Sequence, residues 1–255
     1  MAIAAQAFDE RFALYLDFLG IREAIRHWPA SKLHKFVDLL RTLVQLRAEE
    51  DIQGRAMEDG GYQISLQPAT STFSDHIVVS YPAPPDYAGL DTDGRARLIW
   101  DETICQDCIR IISAVAELAL RQGLLLRGAI SVGDLFHADE VVFGEALVDA
   151  YEMEFNIAKF PRVVASERVL TRFKGGPQSY PHLFVQDTSD GIWHLNYFPR
   201  MREHGAGMGK PDSIQRWNEA MKIIIADNLT ALKDQEKPFK YWQWFEAQMR
   251  PILEP

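Results

Sequence analysis

The chain has 255 residues, 47% of them apolar and 25% charged, the balance of an ordinary soluble globular protein with room for one large core. A formal net charge of −9 and a pI near 5.3 argue against a general binder of phosphate backbones, which needs a clustered basic face. A nucleotide substrate remains compatible with that charge, because bound divalent cations supply positive charge locally.

Met1 to Phe12 mixes small apolar and charged residues without a continuous apolar run, so no signal peptide is expected. Ala13 to Gly20 (ALYLDFLG) reads as a buried strand closed by a glycine. From Ile21 to Arg47, apolar residues at three- and four-residue spacing (Phe36, Leu39, Leu40, Leu43, Leu46) predict one helix. Asp59, Gly60 and Gly61 form a turn, Tyr62 to Leu66 alternates like a strand, and His76 to Tyr81 is a second strand. Between those two strands, Ser74-Asp75 suits a hairpin tip.

Pro82 to Gly94 is loop, and Arg95 to Gln122 is a long helix by the spacing of Leu98, Ile104, Ile111, Val115 and Leu118. Its Cys105 and Cys108 have neither a second pair nor a nearby His, so they are expected as plain helix residues and not as a zinc or redox motif. Ile111 to Leu126 is the most apolar stretch, but Glu117, Arg121 and Gln122 interrupt it, so no membrane span and a cytoplasmic location are expected.

Leu124 to Val132 is a buried strand, Gly133 to Gly144 a polar hairpin or arm, Gly144 to Ile157 a helix and Pro161 to Ala165 a short strand. His137, Asp139 and Glu140 fall in the arm, where a solvated turn is expected. A turn or two of helix at Glu167 to Phe173 leads to a hairpin over Leu183 to Phe198, broken at Ser189-Asp190-Gly191. Two amphipathic helices follow, Ser213 to Leu232 and Phe239 to Met249, the second expected to dock through Trp242, Trp244, Phe245 and Met249. The order is that of an α+β, ferredoxin-like split βαβ fold, a mainly antiparallel sheet with helices on one face. Residues 1–205 are expected to form a catalytic domain, with 206–255 a helical extension packed on it.

Two carboxylates stand out. Asp17 interrupts the first apolar strand, and Asp75 sits at the hairpin tip beside it. A carboxylate in a buried strand is unfavourable unless it is paired or bound to a metal. Either residue alone suits a cap or a salt bridge. Together, on this topology, they suit a two-metal clamp for phosphoryl transfer.

Tyr15-Leu16-Asp17-Phe18-Leu19-Gly20 resembles the first metal-binding strand of class III nucleotidyl cyclases, where an Asp, a neighbouring carbonyl and a glycine occur in this order. Phe73-Ser74-Asp75-His76-Ile77-Val78-Val79 resembles the second metal site, with Ser74 where the family usually has Gly. Arg127 to Gly133 (RGAISVG) resembles the strand before the dimerisation arm, Gly144 to Glu154 the helix after it, and Pro161 to Leu170 the closing strand and helix. Against the family pattern, the transition-state Asn falls on Val148 and the transition-state Arg on Glu152. The purine-reading Lys falls on Ser71 and its partner Asp on Val141. Such a chain is either an inactive copy or a branch that reads another base, and retention of both aspartates favours the second.

The combined motifs resemble the pyrimidine cyclases of the bacterial Pycsar anti-phage system. That resemblance implies a homodimer converting UTP to cyclic UMP, a second messenger read by a separate effector protein, with no nucleic-acid or membrane partner. The alternatives are cyclic CMP from CTP, or an inactive regulatory module. It further implies that Asp17 and Asp75, helped by the backbone carbonyl of Phe18, hold two Mn²⁺ or Mg²⁺ ions about 3.5–4 Å apart. Backbone N–H groups from Leu19 and Gly20 to Ile21 suit the triphosphate. Tyr62, Ser71 and Phe73 lie on the hairpin that reads the base in such enzymes. Arg127 is either a charge clamp or a strand-end arginine paired with Asp149 or Glu152.

Overall fold

A computed structural model describes residues 8–49, 66, 68–83, 94–138, 141–207 and 211–254. Strand β1 (Asp9–Leu19) runs through the middle of the sheet, antiparallel to β3 (His76–Pro82) on one side and to β4 (Leu125–Ala138) on the other. Its central residues are buried on both faces, which is why its sequence is an apolar run without alternation. With β2 (Ala69–Phe73), the order β2-β3-β1-β4 is that of the expected split βαβ unit. The sheet continues through β6 (Val163–Ala165), parallel to β4, then β8 (Trp193–Leu195) and β7 (Phe184–Gln186). The arm is a hairpin of β4 with β5 (Val141–Gly144).

Close approach of β1 and β4 demands a glycine. A Cβ on Gly128 would lie 2.2 Å from the Tyr15 carbonyl oxygen, closer than any side chain tolerates.

Three expectations on elements need correction. The helix expected over residues 21–47 is two, α1 (Ile21–His27) and α2 (Ala30–Glu49). Trp28 between them is extended (φ −74°, ψ 141°), because Pro29 disfavours the helical conformation in the residue before it. The partner of β3 is Ala69–Phe73, not Tyr62 to Leu66; residues 62–65 lie outside the described residues, and Leu66 is not in a strand. The hairpin expected to reach Phe198 ends at Leu195, and α6 (Phe198–Ala206) begins there, with Pro199 admitted in its first turn.

The helices also occupy both faces. The even-numbered residues Phe12, Leu14, Leu16 and Phe18 of β1 join the main core with α3 (Arg95–Leu120), in which Cys105 and Cys108 are fully buried. That core also takes Trp217, Met221 and Ile225 from α7 (Pro211–Ala231), and Trp242, Trp244, Phe245 and Met249 from α8 (Glu236–Leu253). The odd-numbered side carries Ala13 and Tyr15, and α4 (Glu145–Asn156) covers it over a small cluster of Tyr15, Val78, Ala129, Ala150 and Val164. The short helix α5 (Glu167–Leu170) is capped by the Ser166 hydroxyl, which accepts from the Val169 N–H.

Beyond the sheet's centre, Arg162 is fully buried and bonds Asp187 (2.7 Å) and Asp190 (2.9 Å). The Trp244 indole N–H donates to the same Asp187 carboxylate at 2.8 Å, tying α8 to β7. Nearby His194 is fully buried, and burial pushes its imidazole down from 6.5 to about 4. Between those pH values the unfolded chain binds a proton that the folded chain refuses, so this residue makes stability fall as pH falls. Replacing it with phenylalanine removes that contribution. The stability of wild type relative to His194→Phe is expected to drop by about 2 kcal/mol from pH 7 to pH 5 in urea unfolding, and an unchanged difference rejects the assignment.

Candidate active site

Paired residues in adjacent strands point to the same face, so the register fixes what surrounds Asp17. It lies opposite His76 on β3 and Arg127 on β4, and His76 in turn lies opposite Phe73 on β2. Asp17, His76, Phe73 and Arg127 therefore form one rung across the sheet, on the side that α4 covers. Asp75 sits at the tip of the β2–β3 hairpin. The preceding Ser74 adopts φ 58°, the left-handed region that favours glycine, and its hydroxyl donates to Asp75 Oδ1 at 2.8 Å.

Asp17, Asp75 and His76 each offer a ligand atom within 4.8 Å of the others. The His76 Nε2 stands 3.6 Å from Asp17 Oδ1 and its Nδ1 3.5 Å from Asp75 Oδ1, so the ring lies between the two carboxylates. That Nδ1 is buried and has no hydrogen-bond partner. Tyr15 stacks on the His76 ring at 5.1 Å between centroids, and Phe73 tilts against it at 5.5 Å.

Arg127 closes the other side, with its guanidinium 3.1 Å from Asp17 Oδ2 and in contact with Glu154 of α4. The expected ion pair of Arg127 with Asp149 or Glu152 is not formed: Asp149 faces Arg168 at 3.7 Å, and Glu152 is exposed. The helix repeat explains the choice, because Ala146, Ala150 and Glu154 recur every four residues on the buried face of α4. Glu154 was not anticipated, because its place on the buried face follows from how α4 packs on the sheet. Burial pushes its carboxyl up to about 7; Arg127 opposes this and the Asp17 charge adds to it.

Three carboxylates converge here on one guanidinium and one imidazole, leaving an excess of negative charge. The hard oxygen donors of Asp17 and Asp75 suit Mg²⁺ or Mn²⁺, and the unpartnered His76 Nδ1 suits Mn²⁺ as well. The residues present fit a divalent cation. The Phe18 side chain is buried in the main core, so only its carbonyl is on offer. Leu19 and Gly20 line a separate cavity of about 360 Å³ between α1, the turn before β4 and the α7–α8 junction, away from the aspartates.

Of the base-reading candidates, Phe73 is 44% exposed on the Asp17 rung and Ser71 lies on the next rung along the same face, while Tyr62 lies outside the described residues. Val141 and Val148 are both more than half exposed. His137, expected in a solvated turn, is instead buried, and Asp139 and Glu140 lie outside the described residues.

Fold and site together define an α+β protein with an acidic cluster, able to hold a cation, between the central strand and the adjacent hairpin of a split βαβ sheet. No protein-family model matches the chain, and no curated protein does. Solved structures similar to it include the adenylyl cyclase CyaB from P. aeruginosa, at 12% identity and TM-score 0.40 over 73% of this chain and 93% of that one. A second is the catalytic core of a rhodopsin-guanylyl cyclase with converted specificity in complex with ATPαS, at 12% identity and TM-score 0.43 over 74% and 97%. A third is the monomeric guanylyl cyclase domain of the RhoGC fusion protein from the aquatic fungus Blastocladiella emersonii, at 12% identity and TM-score 0.43 over 75% and 96%. Among the described residues, no helix is long and apolar enough to cross a membrane.

Proposed function

We propose that the chain is a nucleotide cyclase that closes a pyrimidine nucleoside triphosphate, UTP in the first instance, to its 3′,5′-cyclic monophosphate. The observation that carries this reading is the meeting of Asp17 and Asp75, from a central strand and a hairpin tip, within reach of one cation and beside Arg127. Bound divalent cations supply acidification of the ribose 3′-hydroxyl and neutralisation of the departing pyrophosphate. In the reaction the 3′-hydroxyl gives up its proton to solvent water, its oxygen bonds to the α-phosphorus, and the bond to the bridging oxygen breaks to release pyrophosphate.

Asp17 and Asp75 hold the cations, with the Phe18 carbonyl and His76 as further donors. Arg127, already oriented by Asp17 and Glu154, offers its guanidinium to the phosphoryl oxygens as they gain charge. Residues 1–205 form the catalytic unit in this reading, and 206–255 pack on it. Val148, Tyr151 and Phe155 place exposed apolar groups along α4, and Val141 and Phe143 do so on the arm, which supports a homodimer. The antiviral messenger role and the separate effector rest on the sequence resemblance.

A second reading, a cyclase-like regulatory module, is favoured by one fact: Val148 and Glu152 give α4 no donor where the related enzymes carry their transition-state Asn and Arg. One experiment separates the readings. The protein is incubated with ATP, GTP, CTP or UTP and Mn²⁺, and the products are resolved by mass. Cyclic UMP as the dominant product is expected. Nucleotide binding without any cyclic product supports the regulatory module, and cyclic AMP as the main product rejects the pyrimidine assignment.

A further inference from the structure

Along the face that carries Asp17, the next rung of the sheet holds Tyr15, Val78 and Ser71, and the rung after it Ala13, Ser80 and Ala69. The β4–β5 arm brings His137 over this region. Its Nε2 lies 2.9 Å from the Ser71 hydroxyl and its Nδ1 2.8 Å from the Ser80 hydroxyl. Behind Ser80, the Arg11 Nε–H donates to the Ser80 oxygen at 3.0 Å. Ser80 is fully buried, His137 is 9% exposed, and Ser71 is half-buried at the outer end.

Counting hydrogens gives this chain a direction. Arg11 is an obligatory donor, so Ser80 accepts from it and has one hydrogen of its own to place. If that hydrogen did not go to His137 Nδ1, a fully buried O–H would be left without a partner, which is unfavourable. The His137 Nδ1 therefore accepts, and its Nε2–H donates to the Ser71 oxygen. The positive charge of Arg11 favours the same arrangement, with the imidazole lone pair turned toward it. Burial and Arg11 push His137 down to about 4, so the ring is neutral near pH 7. One hydrogen remains uncommitted, that of the Ser71 hydroxyl.

We propose that Arg11, Ser80 and His137 are positioning residues that bias Ser71 toward donating a hydrogen bond to the base, so that the site favours a pyrimidine with a carbonyl at ring position 4 over one with an amino group there. Ser71 lies two strands across and two residues along from Asp17, roughly 12 Å by ordinary sheet spacings. That span suits an α-phosphorus held near Asp17 and the far edge of a pyrimidine nucleoside. Uracil presents an acceptor at that edge and cytosine presents donors, so an O–H aimed there pairs with the first and opposes the second. A serine with both lone pairs free would serve either base; the bond from His137 Nε2–H occupies one of them and turns the hydroxyl toward donation.

The inference rests on the cyclase reading, and the test separates the two. Turnover of UTP and CTP is compared for wild type, Ser71→Ala and His137→Phe, the last keeping bulk while breaking the relay. Wild type is expected to favour UTP, and the UTP-to-CTP ratio of kcat/KM is expected to fall about 10–100-fold in Ser71→Ala, the scale of one lost buried hydrogen bond. It should fall in the same direction in His137→Phe, with CTP turnover kept or raised. Equal slowing of both substrates, or a wild type that prefers CTP, overturns the relay while leaving the cyclase reading intact. Absence of cyclic product from all four triphosphates overturns both. Independently of activity, ¹⁵N spectra of His137 at pH 7 should show the proton on Nε2; a proton on Nδ1 overturns the direction assigned to the relay.

Discussion

Under the proposed function, replacing Asp17 by alanine is expected to leave a folded protein whose cyclase turnover is lower by on the order of a thousandfold or more, since cation-borne stabilisation of this kind amounts to several kcal/mol. The fold should survive because Arg127 keeps Glu154 as a partner when Asp17 is removed, so no buried charge is stranded. Asp75→Ala should be equally inactive and less disturbing to the fold, as the residue sits at a hairpin tip. Asp234→Ala, in the exposed turn after α7, is the matched loss of one negative charge elsewhere. Product is quantified by mass and folding by circular dichroism. Near-normal turnover in either active-site variant would remove the basis of the proposed function.

Arg162→Met is expected to produce the largest loss of stability, about 3–5 kcal/mol, because breaking one side of a buried ion pair leaves an uncompensated charge. Arg162 is fully buried over the Trp244 and Phe160 rings and binds two carboxylates, of which Asp187 is only 6% exposed. After the substitution Asp187 keeps only the Ser189 contacts and the Trp244 N–H. Urea unfolding followed by tryptophan fluorescence reads the change. If the single variant does not fold, Arg162→Met combined with Asp187→Asn should recover soluble protein. A loss below about 1 kcal/mol in the single variant would show that the network is not a stability determinant.

Much of the fold was legible because β1, β3 and β4 are buried on both faces, and such strands are written as apolar runs. The missed strand, β2, reads Ala-Thr-Ser-Thr-Phe at the sheet's edge; with neither side fully buried, it carries no apolar alternation. Pro29 marked the break between α1 and α2, but the helical spacing beyond it masked the signal. At the site, Asp17 declared itself as a carboxylate inside an apolar strand, and Asp75 as the tip of the neighbouring hairpin. His76 and Glu154 did not, since one is simply the residue after Asp75 and the other emerges only once α4 is set against β4. The His137 relay has no local signature at all. It joins residues from four strands, and only the folding of the arm over the hairpin brings them together.

The pairing register of β1 has a consequence for how the protein can fail. Side chains alternate between faces, so slipping β1 by one residue against β3 and β4 would turn Asp17 into the apolar core and Phe18 out beneath α4. Such a slip carries a heavy energetic penalty, and the same slip would dismantle the acidic cluster. Correct pairing of the sheet and assembly of the acidic cluster are thus a single event. Under the proposed function, specific activity at saturating Mn²⁺ should then track the folded fraction linearly through a urea titration.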